Sequence, residues 1–401
     1  MNRFFVPIEL NLARLLIISS SLLWYPLTSS GIKLHQVIII LLASIGIMSG
    51  NLIKHFIFSI QKSPFLIIFI TLWFCILFTF TALYDAPWSP IKIISFYLMF
   101  IVSNYAVYIL IKERNESYLL KILNQSLIIF LFVFLFLTGL EVSEVFNIFY
   151  KAIINANPKI IIFGFFGNAP IFLALSEDGL DGLRHTISFY LVLVCLVNFV
   201  FYKKSKHIYL GIFLLALIFI MQSRSAWLSL ALVLPFLSIR LPKIKFSILK
   251  WIGILSIILP TIILLLIQIA PLIFVRIFES GSSYTGRLAR ISEALNLLGQ
   301  FKLTPISLQR EFSSSHIFIF DSYFSGGLIG FLLALLIIFS MFFIMFPNKI
   351  SLNDKIPMTS LLILPIMVRF FTAGNGLPGI GSVLLFSIAF YFRYFNNQKI
   401  V

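Results

Sequence analysis

The sequence predicts an all-α, polytopic integral membrane protein, and three observations predict it. Of the 401 residues, 60% are hydrophobic and only 11% are charged, a balance that a water-soluble core of this size does not have. The apolar residues fall in runs close to the roughly 20 that cross a bilayer as a helix. Lysine and arginine collect in short segments between these runs, as they do in cytoplasmic loops.

The apolar runs predict about twelve transmembrane helices within a single transmembrane domain over residues 1–401. Two of the runs are short and almost abut, so the chain between them is expected to turn within the outer interface. The predicted spans lie near 10–29, 34–50, 64–83, 91–111, 122–140, 186–202, 208–222, 225–239, 249–275, 323–346, 358–373 and 377–395.

The charge pattern predicts the orientation of these spans. Short basic loops are expected on the cytoplasmic side, with both termini, and they lie at 51–63, 112–121, 203–207, 240–250 and 348–356. The net charge of +16 is then largely a topology signal, and no nucleic-acid partner is expected. The two long loops, 141–185 and 276–322, fall on the external side, and long loops in compact proteins are usually functional.

Arginines on the external side are a functional clue, because arginine resists translocation. Arg224 follows an apolar run and precedes Ala226 and Trp227. Its planar guanidinium is suited to bind phosphate oxygens in pairs. The alternative is a side chain that snorkels into lipid head groups, with Trp227 as an interfacial anchor.

A second pair of arginines lies in the stretch 286–298, which is predicted to form a short amphipathic helix. Arg287 and Arg290 are three residues apart and therefore share a face, so together they could bind one diphosphate. Thr285 and Gly286 would supply free backbone N–H groups at the helix start. The alternative is an interfacial helix that binds anionic lipid through its arginines.

The other candidate residues are titratable or charged groups near span ends. His316 could activate an attacking sugar hydroxyl, although an interfacial histidine with a structural role is equally common. Asp321 is expected to face a cavity or to pair with an arginine, and Arg369 likewise needs an interior partner or an outer-interface position. Arg184 and His185 close the first long loop and offer a second cation and titratable group.

Several motifs are missing from the sequence. It contains no phosphate-binding glycine loop of the ATPase type, no His-Glu-x-x-His or Cys-x-x-Cys spacing and no Gly-x-Ser-x-Gly elbow. Neither a cofactor nor a metal site is therefore expected.

Three motifs in order resemble the O-antigen polymerase and ligase superfamily. They are Ser223-Arg224-Ser225-Ala226, Thr285-Gly286-Arg287, and His316 followed eleven residues later by Gly327-Leu328-Ile329-Gly330. The resemblance covers about 208–346, a third of the chain. Ile291 stands where the family usually has an aromatic residue, and no asparagine follows His316; these departures count against a ligase more than against a polymerase.

The resemblance implies a metal-independent glycosyltransferase of the GT-C-like kind that uses glycan on undecaprenyl diphosphate as donor. A polymerase would transfer the growing glycan to the non-reducing end of a lipid-linked repeat unit, at the periplasmic face of a bacterial inner membrane. Besides membrane lipids, a polysaccharide chain-length regulator is a candidate partner. The implied catalytic residues are His316, Arg287 and Arg224, with diphosphate binding by Arg224 and Arg287, to which helix spacing and loop position add Arg290 and Arg184; candidate supporting residues are Tyr284, Asp321 and His185.

Two alternatives remain open. An O-antigen ligase would pass the same glycan to lipid A core. A flippase or transporter for lipid-linked oligosaccharide belongs to a different class and would also need a basic cavity. Transporters usually show matched halves with broken helices, and no internal repeat is visible here.

Overall fold

The computed structural model describes most of the predicted spans. The described residues are 5–22, 33–83, 89–155, 160, 164, 177–200, 205–221, 223–240, 292, 295–296, 298–299, 303–304, 317–345, 358–372 and 380–395. Within them the chain forms thirteen α-helices: α1 (Val6–Ser19), α2 (Leu34–Met48), α3 (Asn51–Lys62), α4 (Pro64–Leu83), α5 (Pro90–Glu113), α6 (Glu116–Thr138), α7 (Val142–Ile154), α8 (Glu177–Val200), α9 (Ser205–Ile220), α10 (Arg224–Arg240), α11 (Phe318–Met345), α12 (Met358–Thr372) and α13 (Ile380–Tyr394).

The helices make this a multi-pass membrane protein. Among the described residues, four helices are long and apolar enough to cross a bilayer: α4, α5, the first part of α6 and α11. A fifth span exists if α2 and α3, which are bent by 89° relative to each other, count as one broken span. The predicted boundaries agree with the helices to within two residues for α4 (Pro64–Leu83) and α5 (Pro90–Glu113), whereas α6 and α11 begin five to six residues earlier than predicted.

The predicted number of about twelve spans is wrong for the part of the chain that the structure describes, where four or five are found. The reason is helix length. Helices α12 and α13 contain 15 residues each, about 22 Å, whereas the hydrocarbon core is about 30 Å thick. The described apolar parts of α8 and α9 are similarly short, and the predicted span 249–275 lies outside the described residues.

Two segments predicted as loops contain helices. The basic segment 51–63 forms α3, which begins after Gly50 in a left-handed conformation (φ +71°). On α3 the side chains of Leu52 and His55 are buried whereas Ile53 and Ile57 are exposed, as in an amphipathic helix lying on a surface. The segment 141–185 contains α7 and the first part of α8.

Helix α5 lies at the centre of the bundle, because it packs against α1, α2, α3, α4, α6 and α13. Its 24 residues include many that are fully buried. A single hydrophobic cluster runs from α1 to α13 through these contacts. Side-chain hydrogen bonds add to the packing, such as the reciprocal pair between Asn124 of α6 and Asn198 of α8 at 3.1 and 2.7 Å.

A buried carboxylate joins three helices near one end of α5. Glu9 of α1 is fully buried. Its oxygens accept hydrogen bonds from Ser49 Oγ (2.5 Å), Asn51 Nδ2 (2.9 Å) and the hydroxyl of Tyr105 (2.8 Å). Burying a charge is costly unless hydrogen bonds compensate it, so these donors specify how α1, the α2–α3 corner and α5 fit together.

Helix α11 folds back on itself at Gly327, whose backbone (φ 59°, ψ −160°) is not helical. In a straight helix Phe318 and Met341 would lie about 34 Å apart along the axis, yet both line one apolar cavity. The ring of Tyr323 also contacts that of Phe331 edge-on, with centroids 6.1 Å apart. The part after the bend, 328–345, is about 27 Å long and is therefore the part that can cross the bilayer.

Both glycines of the predicted span start are required by this fold. Gly327 has a conformation that side-chain-bearing residues rarely adopt, and the carbonyl of Leu303 occupies the place of a Cβ atom. At Gly330, the carbonyl of Ser322 from the folded-back segment occupies that place. The segment is held against α4, where the indole Nε1 of Trp73 donates to Ser322 Oγ (3.1 Å).

The Glu9 site gives a first prediction. Replacing Tyr105 by Phe removes one hydrogen bond to a buried carboxylate, so the free energy of unfolding should fall by about 1.5–3 kcal/mol. The control is Tyr150→Phe, because Tyr150 is 64% exposed on α7 and should change stability by no more than about 0.5 kcal/mol. Unfolding in mixed micelles measures both values, and equal stabilities would contradict the role of the Glu9 site.

The bend in α11 gives a second prediction with a neighbouring control. Gly327→Ala should lower the melting temperature by several degrees, because it adds a Cβ atom at positive φ against the Leu303 carbonyl. Gly326→Ala should have little effect, since its Cβ atom would meet Leu77 at an ordinary 3.4 Å. Thermal unfolding of the two variants in detergent decides the matter; a Gly327→Ala protein that melts like wild type would refute the fold-back.

Candidate functional site

Helices α8, α9 and α10 bring several chain segments to one end of the bundle. Helices α8 and α9 pack as an antiparallel pair, in which Gly211 of α9 lies against the ring of Phe199 and accepts a hydrogen bond from the Cys195 thiol (3.5 Å). From these contacts α9 runs back about 13 Å to its last residue. The end of α9 and the start of α10 therefore lie near the middle and first half of α8. We call this region the Arg224 end.

The motif around Arg224 forms a helix start. The carbonyl of Ser223 accepts a hydrogen bond from the Trp227 amide (2.9 Å), so α10 begins with Ser223 as its N-cap residue and Arg224 as its first residue. Serine is among the preferred N-cap residues. The Ser223 side chain is fully buried, and its hydroxyl lies 3.2 Å from that of Ser225.

Trp227 holds the α9–α10 turn together. Its ring stacks on Phe219 (centroids 5.2 Å apart), and its Nε1 atom donates to the Ile218 carbonyl (3.1 Å). It is half-buried and thus packs within the protein in addition to any role at an interface. The packed turn therefore fixes where the backbone of Arg224 lies in the structure.

An arginine at a helix start is electrostatically unfavourable for the helix itself, because the N-terminus already carries a partial positive charge. Backbone N–H groups at a helix start favour an anion. The start of α10 is therefore a place where a negatively charged ligand would be stabilised.

A second arginine lies at the same end. Arg369 is in the last turn of α12, and its guanidinium carbon lies 4.6 Å above the ring centroid of Phe189 in α8. Helix α13 reaches the same place, since a Cβ atom added at Gly381 would lie 3.5 Å from the backbone of Tyr190. Helix α12 also packs along α10. The start of α13 and the end of α12 thus join the Arg224 end.

The folded-back segment of α11 adjoins this group. The ring of Phe318 stacks on that of Phe370 in α12, with centroids 4.4 Å apart and an angle of 18° between the ring planes. Asp321, in the first turn of α11, is only 4% exposed and interacts with other groups of the protein. It is therefore directed into the protein, as a carboxylate in a membrane helix should be.

Part of the second long loop packs on the bend of α11. Leu298 packs against a small cluster formed by Tyr323 and Phe324, and the Gly299 amide donates to the Leu295 carbonyl (3.1 Å). Residues 292, 295, 296 and 298 are helical, which agrees with the end of the amphipathic helix predicted over 286–298. Leu298 and Leu303 thereby lie beside the bend of α11.

The predicted site residues fall into two groups. Tyr284, Arg287, Arg290 and His316 lie outside the described residues. Arg184 and His185 lie on α8, one to two turns before Phe189, and Arg224 begins α10. The backbones of Arg184, His185 and Arg224 thus belong to the same end of the bundle, whereas the roles of all these residues stay predictions.

Sequence reasoning missed two features of the structure. The Glu9 site had a detectable signal, because an acidic residue at the edge of the first apolar run needs partners. The contact between Arg369 and Phe189 had none, since the two residues are far apart in the chain and only the packing of α8 on α12 brings them together.

Comparisons of the chain with protein-family models, with curated proteins and with solved structures find no match.

Proposed function

We propose that this protein is an O-antigen or related polysaccharide polymerase of a bacterial inner membrane. It transfers a growing glycan from undecaprenyl diphosphate to the non-reducing end of a lipid-linked repeat unit at the periplasmic face. The observation that carries the proposal is the order of the three motifs, the first of which starts a helix at an end of the bundle where Arg369 also lies.

The orientation of the bundle supports a periplasmic site. The ends of the helices opposite the Arg224 end carry basic residues: Lys112 lies in the last turn of α5 and Arg114 follows it, Arg240 ends α10, and Arg393 lies in the last turn of α13. The positive-inside rule assigns that side to the cytoplasm. The Arg224 end then faces the periplasm, where lipid-linked repeat units are polymerised.

The proposed reaction breaks the bond between the anomeric carbon of the donor glycan and a phosphate oxygen. An acceptor hydroxyl attacks that carbon and forms the new glycosidic bond. Its proton passes to His316, and undecaprenyl diphosphate leaves with the bonding electron pair. Because a diphosphate is a good leaving group, the protein has to orient the two substrates, neutralise the departing charge and accept one proton.

The arginines neutralise the leaving group in this scheme. Arg224 and Arg287 bind its phosphate oxygens, with Arg290 and Arg184 as additional cations. Each hydrogen bond to a charged group contributes about 1.5–3 kcal/mol, so loss of one arginine should slow the reaction about ten- to one hundredfold or more. Asp321, Tyr284 and His185 support the arrangement by orienting these groups.

The surface polysaccharide of complemented cells tests the proposal. A strain that lacks the protein should carry only single repeat units on its lipid A core. Wild-type protein should restore the ladder of long chains, whereas Arg224→Ala and Arg287→Ala should not, because the diphosphate loses a cation. Gel electrophoresis of lipopolysaccharide measures the ladder, with expression of each variant checked by immunoblot.

The matched control in these cells is Arg393→Ala, since Arg393 lies at the opposite end of the bundle and should restore the ladder fully. Two outcomes would contradict the polymerase. Long chains that accumulate on undecaprenyl diphosphate, beside unmodified core, would identify a ligase. Repeat units that remain on the cytoplasmic side would identify a flippase.

His316 gives a separate prediction. His316→Ala should slow chain lengthening by a factor of about 100 to 10,000, the range for loss of a general base, while the purified variant still binds a lipid-linked repeat unit with the affinity of wild type. His207→Ala is the control, because His207 of α9 lies at the other end, 3.3 Å from Asn198. If His316→Ala lost binding and lengthening in parallel, the residue would position substrate and not accept a proton.

A further inference from the structure

We propose that Arg369 is a further anion-binding residue, whose guanidinium binds phosphate oxygens of the lipid diphosphate. That Arg369 takes an anionic partner is inferred from its sequence context and its packing, independently of the proposed function. The choice of a lipid diphosphate as that partner rests on the proposed function.

Arg369 packs against a buried part of α8. The side chain is half-buried in the last turn of an apolar helix, and its guanidinium carbon lies 4.6 Å above the ring centroid of Phe189. Phe189 is only 1% exposed. A close approach between Gly381 and the backbone of Tyr190 holds the same part of α8 in place. The arginine is thus packed against a rigid wall of the protein.

Within the part of the chain that the structure describes, the guanidinium of Arg369 contacts this ring, and no carboxylate forms an ion pair with it. Asp321, the buried acid of α11, interacts with other groups. A charged side chain within a membrane bundle is costly unless a counter-ion or a polar cavity compensates it. An anionic ligand at this place would compensate the charge.

The guanidinium carbon of Arg369 lies 4.6 Å from the Phe189 ring centroid, and the N–H donors of a guanidinium lie in its plane and project from its edge. That edge is suited to bind two phosphate oxygens at once. The ring contact and phosphate binding are thus compatible, and the ring restricts the orientation of the donors before the ligand arrives.

Arg369 lies on the level of Phe189, about 7.5 Å along the α8 axis from Arg184, at the end of the bundle where α10 begins with Arg224. A diphosphate carries two phosphate groups and needs several cations. Arg369 supplies a cation that the sequence motifs do not identify, and it lies against α8.

Binding of farnesyl diphosphate to the purified full chain tests this proposal. With the protein in nanodiscs of phosphatidylcholine, Arg369→Gln should weaken binding about ten- to one hundredfold, and Arg369→Lys should recover part of the loss. Farnesol, which has no phosphate, should show no such dependence. Arg393→Gln is the matched control, because Arg393 is also half-buried in the last turn of its helix but lies at the opposite end.

Each outcome decides a different point. Equal binding by wild type and Arg369→Gln would overturn the role of Arg369 while leaving the proposed function intact. If wild type bound phosphatidylglycerol through Arg369 but not farnesyl diphosphate, the anion site would stand as a phospholipid site and the proposed function would fail. If wild type bound neither phosphatidylglycerol nor farnesyl diphosphate, both the role of Arg369 and the proposed function would be overturned.

A second measurement on the wild-type protein covers the case in which the variants do not fold. Phenylglyoxal modifies accessible arginines, and mass spectrometry gives the rate at Arg369. Farnesyl diphosphate should slow this modification at least tenfold, whereas farnesol should leave it unchanged. A rate at Arg369 that farnesyl diphosphate does not alter would refute the proposal.

Discussion

The reversal of α11 at Gly327 is the constraint on which the rest of the structure depends. It allows one helix to contribute both a segment that crosses the bilayer and a shorter segment that packs beside it. The shorter segment meets α4 through Trp73 and Ser322 and meets α12 through Phe318 and Phe370. It thereby connects the two sides of the bundle at the level where Arg369 contacts α8. In a continuous α11, Ser322 and Phe318 would lie far from these partners in α4 and α12.

The sequence was sufficient for the class of protein and for the helices that are apolar over their full length. Runs such as Pro64–Leu83 are apolar over their full length, and this length alone predicts a span. It was insufficient where a tertiary contact decides the outcome. The motif Gly327-Leu328-Ile329-Gly330 predicted the start of a span, but the reversal at Gly327 involves the carbonyls of Leu303 and Ser322, which no local pattern reveals.

The count of spans failed for a similar reason. Hydropathy does not distinguish a helix that crosses the membrane from a short apolar helix that is buried among other helices. Helix α13 is almost entirely buried by protein, so its apolar residues face neighbouring helices and not lipid. For the site, the sequence indicated that Arg369 needs a partner. Its contact with the Phe189 ring could not be predicted, because it depends on the packing of α8 against α12.

The positions of the arginines and the proposed chemistry both point to an anionic substrate at the Arg224 end. Arg224 starts α10 after Ser223, Arg369 packs against the Phe189 ring, and the backbone of Arg184 lies on the same helix as that ring. A charge within an apolar bundle is costly for folding. It is explained if an anionic substrate enters at this end, and a lipid-linked diphosphate combines that charge with a chain that is soluble in the membrane.

The most direct test of the account is chain lengthening by the purified protein. The protein is reconstituted in liposomes with lipid-linked repeat units as the sole substrate, and the products are separated by length. The account predicts glycans of two and more repeat units on undecaprenyl diphosphate, with free undecaprenyl diphosphate released in equal number to the bonds formed. Repeat units that stay single, in protein that is folded and binds them, would contradict it.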